Sequence, residues 1–264
     1  MDLIYLYCVT KTKPLRWNFE DINVKVRPVY SQGAYAIVGK VSPDEFNEDN
    51  LKKNLADMAW VERKVRQHER VIEEIMKDAP VMPFKFGTIF ESEENVEKLL
   101  KKHDAEYKKI IADLEGKEEW GLKIYCDPGR FKSLIAEDNE PIKKIDEEIA
   151  SSGKGKAYIL KKKREALIDE TANKKMSEYT KDSFERLAKA SVRTRINKLL
   201  PKEVTQKNED MVFNGAFLIN KNRIGECSGI LDHLKAKYSG RGLIFDWTGP
   251  WPPYNFCDIV KKEV

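Results

Sequence analysis

The class of the N-terminal fold is decided by the stretch Val81-Met82-Pro83-Phe84-Lys85-Phe86-Gly87-Thr88-Ile89-Phe90. Its apolar, aromatic and β-branched residues favour a strand, but Pro83 has no amide donor and cannot sit in a central strand. Gly87 marks a bend or a close approach of two backbones. The stretch therefore predicts an edge strand or a bulged strand.

Upstream of this stretch the sequence predicts two strands and one long helix. The runs at 3–9 and 34–41 are rich in aromatic and β-branched residues, as buried strands are. Ser42-Pro43-Asp44-Glu45 then has the pattern of a capping box, with proline at the first helical position. Apolar side chains at three- and four-residue steps predict one continuous helical stripe that ends before Pro80. The stripe consists of Leu51, Leu55, Met58, Val61, Val65, His68, Ile72 and Ile75.

Downstream, Ser92 predicts the start of a helix. Its apolar positions include Val96, Leu99, Leu100, Ile110, Ile111 and Leu114. The order strand, strand, helix, strand, helix indicates an α+β fold, with a mixed sheet and helices packed on it. We expect this N-terminal domain to span residues 1–116.

A second α+β domain is expected over residues 117–247. The run at 120–126 predicts its first strand, and Asp127-Pro128 predicts a helix start. Residues 131–200 have a mainly helical pattern, broken near Gly153. Further strands are predicted at 211–219 and 243–247, with a short helix between them. This order resembles a ferredoxin-like sheet with a long helical insertion.

Composition indicates an ordinary folded protein. Its 264 residues include 48 Lys and Arg against 44 Asp and Glu, a net charge of +4 that does not by itself indicate nucleic acid. The four cysteines are scattered, which predicts free thiols in a reducing compartment. No apolar stretch reaches the roughly 20 residues of a membrane span, and the chain opens without the basic start of a signal peptide. We therefore expect a cytoplasmic protein without membrane contact.

The basic residues are concentrated in one segment. Residues 154–202 contain 15 basic and 6 acidic residues, a surplus of nine. A nucleic-acid or polyanion binding module on these Lys-rich helices is one hypothesis. The simpler interpretation, a solvated helix, is favoured because aromatic residues are sparse in the segment and acids interrupt it.

No catalytic pattern stands out. The three histidines lie far apart, and His68 falls on an apolar helix face where a hydrogen-bonded core histidine is typical. The glycine-rich turn at 152–156 lacks the spacing of a phosphate-binding loop. We therefore predict neither catalytic residues, nor a cofactor, nor a metal.

The C-terminal stretch is rigid and aromatic. Thr248-Gly249-Pro250-Trp251-Pro252-Pro253-Tyr254-Asn255-Phe256 contains three prolines, which predict a polyproline or turn conformation. Its rings either dock on the body of the protein or wait for a partner. We expect the tail, residues 248–264, to pack on the N-terminal domain.

Several blocks together resemble the gas vesicle protein GvpF/GvpL family. The P-F-x-F-G-T block at 83–88 and the terminal block at 248–256 are the specific ones. Weaker similarity is carried by Arg66-Gln67-His68-Glu69-Arg70-Val71, by Glu119-Trp120-Gly121-Leu122-Lys123-Ile124 and by Gly155-Lys156-Ala157-Tyr158-Ile159-Leu160. Their order and spacing fit over nearly the whole chain.

The resemblance implies a non-enzymatic accessory protein of gas vesicle assembly in the cytoplasm or on the vesicle. Its implied partners are the shell protein GvpA and other accessory Gvp proteins. We expect the two aromatic blocks to form the partner-binding site, although the same rings could simply fix the tail to the N-terminal domain. The candidate residues are His68, Pro83, Phe84, Phe86, Gly87, Pro250, Trp251, Pro252, Pro253 and Tyr254.

Overall fold

Helices pack against antiparallel sheets in both units of the computed structural model, which describes residues 2–13, 19 and 24–257. One unit combines Met1–Glu119 with Pro250–Val264, and the other is Trp120–Gly249. The expected α+β class is confirmed, but the sheet of the first unit, expected to be mixed, is antiparallel. Residues 258–264, the end of the predicted tail, lie outside the described residues.

The sheet of the first unit has the order β2-β3-β1-β4, and β5 also pairs with β1. Residues 81–83 form an edge strand, as predicted, and Gly87 has a positive φ of 80°. The sequence analysis missed β2, because Arg27 and Pro28 interrupt its apolar pattern. The strands are β1 (Leu3–Thr10), β2 (Val26–Ser31), β3 (Ala34–Val41), β4 (Val81–Pro83) and β5 (Ile89–Phe90).

The predicted continuous helix before Pro80 is wrong, because the chain forms three helices there. Asn47 and Asp57 each accept backbone hydrogen bonds from the following turn and so start new helices. Leu55 is consequently 47% exposed and Met58 75% exposed, whereas the rest of the stripe faces the sheet. The helices are α1 (Pro43–Phe46), α2 (Glu48–Asn54) and α3 (Met58–Met76).

The predicted cap at Ser42 is confirmed, since its side chain accepts the amide of Asp44. Glu45 does not act as the reciprocal member of a capping box. Its carboxylate accepts hydrogen bonds from Trp60 Nε1 at 3.3 Å and Lys64 Nζ at 2.7 Å. This polar contact joins α1 to α3.

Ser92 caps the next helix, as predicted, but the helical pattern that follows is divided at His103. The two helices are α4 (Glu93–Lys102) and α5 (Asp104–Leu114). Together with α3 they supply the apolar side chains that cover the sheet. Val71, Ile72 and Ile75 of α3 are at most 1% exposed.

The second unit contains a four-stranded sheet with the order β7-β8-β6-β9. The element order is β, α, β, β, α, β, which is the ferredoxin-like arrangement that the sequence indicated. A core of aliphatic and aromatic side chains, centred on Leu122, Ile124 and Phe217, fills the space between sheet and helices. The strands are β6 (Lys117–Cys126), β7 (Arg193–Ile196), β8 (Asp210–Asn220) and β9 (Leu243–Trp251).

The helical insertion ends earlier than predicted. Residues up to 199 were expected to be helical, but α8 ends at Ala190 and the chain turns into strand β7. Val192, Thr194 and Ile196 are β-branched and favour the strand, and the amide of Val192 already donates to Leu218 O. The helices are α6 (Pro128–Asp138), α7 (Glu140–Ser151), α8 (Lys154–Ala190), α9 (Lys202–Thr205) and α10 (Ile224–Tyr238).

The proline-rich terminal stretch is more regular than predicted. Strand β9 continues through Pro250 to Trp251, which corrects the expected polyproline or turn conformation. An edge strand tolerates proline because one side of its backbone needs no partner. A 3₁₀ turn follows at Tyr254–Phe256. Among the described residues, no helix combines the length and the apolar character of a membrane span.

The division of the predicted stripe can be tested on α3. Ile72→Ala should lower the free energy of unfolding by about 2–5 kcal/mol, because it leaves a cavity under the sheet. Met58→Ala, on the same helix but 75% exposed, should change it by less than about 0.5 kcal/mol. Urea unfolding of the two variants measures the difference. Equal losses would contradict the break before α3.

Candidate functional site

A buried histidine connects the two aromatic blocks of the sequence. His68 of α3 is 1% exposed, and both of its ring nitrogens have partners. Nδ1 lies 2.9 Å from the Tyr5 hydroxyl. Nε2 lies 3.1 Å from the carbonyl of Phe84 and 2.9 Å from the hydroxyl of Tyr254. We call these four residues, together with Glu69, the His68 cluster.

The hydrogen-bond partners determine the tautomer of His68. The Phe84 carbonyl can only accept, and the Tyr254 hydroxyl donates to Glu69 Oε1 at 3.0 Å, so Nε2 carries the proton. The Tyr5 hydroxyl accepts from the amide of Gly87 at 2.9 Å and donates to Nδ1. Hydrogen bonds therefore run in one direction from Gly87 through the imidazole to the carboxylate of Glu69.

Burial keeps the imidazole of His68 neutral. Desolvation lowers the pKa of His68 to about 4, and the hydrogen bond to the Phe84 carbonyl opposes this only partly. Burial also raises the pKa of Tyr5 and Tyr254 well above the ordinary value for tyrosine. The pKa of Glu69 is raised by burial and lowered in part by the Tyr254 hydroxyl. The cluster is thus a hydrogen-bonded connector rather than a charged centre.

Aromatic rings enclose the imidazole. Tyr7 stacks on it at a centroid distance of 5.7 Å, and Phe86 meets it edge-on at 5.9 Å. Tyr5 forms a second edge contact at 5.6 Å. These rings exclude water from the hydrogen bonds, which strengthens each of them.

A second polar contact holds the terminal segment. Glu119 is 4% exposed, and its carboxylate accepts hydrogen bonds from the amide of Asn255 at 3.1 Å and from Asn255 Nδ2 at 2.6 Å. Phe256 and Cys257 beside it are buried. Residues 250–257, called here the C-terminal segment, are therefore fixed at Tyr254 and at Asn255.

The ten residues predicted to bind a partner divide into three sets by exposure. His68, Pro83, Phe84, Pro252 and Pro253 are buried, and Phe86, Gly87 and Tyr254 are half-buried. Pro250 and Trp251 are exposed, and Trp251 shows 43% of its surface. The fold brings His68, Phe84, Phe86 and Tyr254 into one cluster. Trp251 is the large ring among the ten that is accessible.

The basic helices form several ion pairs. Within α8, Lys175 pairs with Glu178 and Arg186 with Asp182. Arg164 of the same helix pairs with Asp146 of α7 at 2.5 Å. This pattern is typical of a solvated helix. These pairs compensate part of the basic surplus of residues 154–202.

Candidate metal ligands do not converge within the described ranges, where no group of three or more His, Cys, Asp or Glu side chains could hold an ion. The four cysteines are buried free thiols, as predicted. Burial raises the pKa of Cys8 far above its ordinary value and that of Cys126 to about 11. Thiols of this kind serve as small apolar core residues.

The model of the gas vesicle synthesis protein GvpL/GvpF family matches residues 3–258. This chain belongs to that family. Among its relatives, gas vesicle protein L of Streptomyces sp. is 25% identical over 87% of this chain and 82% of its own length. Gas vesicle protein L1 of Halobacterium salinarum is 23% identical over 98% of this chain and 91% of its own length.

The fold is also that of GvpF. The crystal structure of GvpF from Anabaena sp. matches with a TM-score of 0.72 at 17% identity, covering 97% of this chain and 98% of that one. GvpF from Microcystis aeruginosa matches with a TM-score of 0.66 at 19% identity over the same shares. The resemblance read from the sequence blocks is thus confirmed at the level of family and fold.

Four residues of this GvpL/GvpF chain that hold the site were not foreseen. Tyr5 and Glu69 complete the His68 cluster, and Glu119 and Asn255 form the second contact. Glu69 and Glu119 lie in blocks already noted for their similarity to the family, but nothing local indicates that they are buried.

Stability should depend on pH through His68. Its folded pKa of about 4 lies below the ordinary 6.5, so the stabilisation is complete above about pH 6.5 and is lost as the pH falls toward 4. From about pH 7.5 to about pH 5 the loss is about 2 kcal/mol. His68→Gln, which cannot titrate, should not show it. Urea unfolding of both proteins at the two pH values gives the comparison, and parallel pH profiles would refute the assignment.

Removal of the Tyr254 hydroxyl should weaken the attachment of the C-terminal segment. Tyr254→Phe leaves Glu69 half-buried without this donor and should lower the free energy of unfolding by about 1–3 kcal/mol. Tyr158→Phe, at a ring that is 60% exposed, is the matched control and should be neutral. In a double-mutant cycle with Glu69→Gln the two losses should not add. Strict additivity would show that the hydrogen bond contributes nothing.

Proposed function

We propose that this protein is an assembly factor that binds the shell protein GvpA during gas vesicle formation. The observation that carries the proposal is an exposed Trp251 on a segment that is otherwise fixed. Pro252, Pro253, Phe256 and Cys257 are buried, while the indole is left 43% accessible. A rigid aromatic side chain loses little conformational entropy on binding and is a preferred interface anchor.

In this proposal, the residues that position the site differ from those that contact the partner. His68, Phe84 and Tyr254 hold the C-terminal segment and act as positioning residues. Trp251, with Pro250 beside it, is the contact surface, and half-buried Phe86 adds apolar area in the same unit. Pro83 and Gly87 set the backbone on either side of Phe84 and Phe86.

Membership in the family supports the choice of partner. A protein that forms a vesicle wall must present apolar surface and strand edges before it is incorporated, and such surfaces aggregate unless they are covered. A stiff aromatic contact on a charged, soluble domain is suited to transient cover. We infer action by binding rather than by catalysis, in the cytoplasm and at the growing vesicle, together with other accessory Gvp proteins. Retention as a minor vesicle component is compatible with this role.

Trp251→Ala should weaken capture of GvpA at least about tenfold without unfolding the protein, because the ring is accessible and its backbone is held by neighbours. Tyr158→Ala, at another exposed ring, is the control and should bind as the wild type does. A pull-down of GvpA with the purified full-length chain, together with thermal unfolding of each variant, measures both effects. Undiminished capture by folded Trp251→Ala protein would refute the anchor.

If the ring serves only to attach the tail, the result is different. Trp251→Ala would then lower the free energy of unfolding by roughly 3–5 kcal/mol, as truncation of a large core ring does, and binding would change only in proportion to the folded fraction. Measuring capture at a temperature where both proteins are folded distinguishes the two interpretations.

A further inference from the structure

Three edges of the two sheets contain a proline, and one does not. In the first unit β2 contains Pro28, and β4 contains Pro83. The two-residue β5, beside β4, is too short to template a strand. In the other sheet β9 contains Pro250, next to its last residue Trp251. Proline in an edge strand removes a donor and blocks strand addition. Only β7, Arg193–Ile196, lacks this protection among the edge strands of the described residues.

The register shows which backbone groups of β7 face outward. Arg193, Thr194, Arg195 and Ile196 pair with Leu218, Phe217, Ala216 and Gly215 of β8, and Asn197 donates to Asn214 O at 2.8 Å in the same register. In an antiparallel pair, hydrogen-bonded positions alternate with positions that face away. Asn197 and Arg195 therefore direct their amides to β8. Thr194 and Ile196 direct theirs away from the sheet.

The side chains beside this edge are apolar and exposed. Ile196 is 64% exposed, Val192 43% and Leu199 54%. Large aliphatic side chains clustered at an unprotected strand edge are unfavourable in water and indicate an interaction surface. The helical pattern predicted for residues 131–200 includes this stretch, but the fold leaves these apolar side chains exposed.

The positive charge of residues 186–202 favours an acidic partner. Residues 186–202 contain six basic residues and no acidic residue, at the end of the basic surplus in the sequence. Two of the six, Arg186 and Lys202, pair with Asp182 and Asp210 outside the stretch, which leaves it with a smaller net positive charge. Antiparallel pairing with a second copy of β7 through Thr194 and Ile196 would place Arg195 directly opposite its own copy, which is unfavourable. An acidic strand has the opposite charge and is attracted to this edge.

We propose that β7 is a docking edge for an extended acidic segment of another protein, which adds to the sheet as a fifth strand next to β7. Outward backbone groups of Thr194 and Ile196 supply the hydrogen bonds, Ile196 supplies apolar contact, and the surrounding basic residues select acidic side chains. This surface belongs to the second unit. It does not depend on the binding of GvpA through Trp251.

The probe is a blocked peptide of sequence Glu-Val-Thr-Val-Glu, with Lys-Val-Thr-Val-Lys as its charge-reversed counterpart. Fluorescence anisotropy with the full-length protein should detect binding of the acidic peptide, weakened by salt, and at least tenfold weaker binding of the basic one. Equal binding of the two peptides, or no binding of the acidic peptide at about 1 mM, would overturn the proposal.

Thr194→Pro is the decisive variant, because it removes an outward amide and leaves the ladder to β8 intact. Binding of the acidic peptide should fall at least about tenfold, the effect of one lost hydrogen bond to the backbone. Thr194→Val keeps the amide and should bind normally. Unchanged binding by folded Thr194→Pro protein would refute docking at β7. If the wild-type protein is a dimer and the Thr194→Pro variant is a monomer, the partner of β7 is a second copy of this chain and not an acidic segment.

Amide hydrogen exchange on the wild-type protein gives a test that needs no variant. On addition of the acidic peptide, the amides of Thr194 and Ile196 should become protected at least tenfold. The amide of Arg195, already bonded to β8, should change little. Uniform or absent protection across β7 would contradict the proposed docking mode.

Discussion

The first unit depends on one neutral imidazole. The ring of His68 must donate at Nε2 and accept at Nδ1, because Phe84 offers only a carbonyl and Tyr5 has its donor free for the ring. A proton on Nδ1 would leave the hydroxyl hydrogen of Tyr5 without its acceptor at a histidine that is 1% exposed. Strand β1, helix α3, the turn after β4 and the C-terminal segment all meet at this ring, so its protonation state is a condition for their packing.

The long sequence separation of His68 and Tyr254 explains why several interactions hold the C-terminal segment in place. His68 and Tyr254 are separated by 186 residues, and the entropy of closing so long a loop opposes the contact. The hydrogen bonds at Tyr254 and Asn255, with burial of Phe256, offset that cost. Three prolines also restrict the segment in the unfolded chain, which reduces the entropy lost on ordering it. The second unit is an insertion in the sequence of the first. The chain leaves the first unit after Glu119 and returns to it at Pro250.

The sequence predicted those parts of the fold that local chemistry determines. Serine and aspartate caps at Ser42, Ser92 and Asp127 were recognisable because they bond within one turn. The break at Asp57 was not recognised, because Leu55 and Met58 continue the helical spacing of apolar residues although both are exposed. Strand β7 was missed for a related reason: its side chains fit a 3.6-residue period as well as a strand. In the site, His68 was recognised as a buried histidine, but its partners Tyr5 and Tyr254 are set by tertiary packing that no local pattern encodes.

Proline has opposite consequences in the two places where this chain uses it most. In the edge strands it removes a donor and keeps other chains away. In the C-terminal segment Pro252 and Pro253 are buried, and their fixed φ holds Tyr254 in reach of His68 while the preceding Trp251 stays accessible. A flexible tail would bring the same rings to the same surface only part of the time. The stiffness of the segment therefore leaves Trp251 exposed by immobilising its neighbours, which couples the stability of the first unit to the presentation of the proposed contact surface.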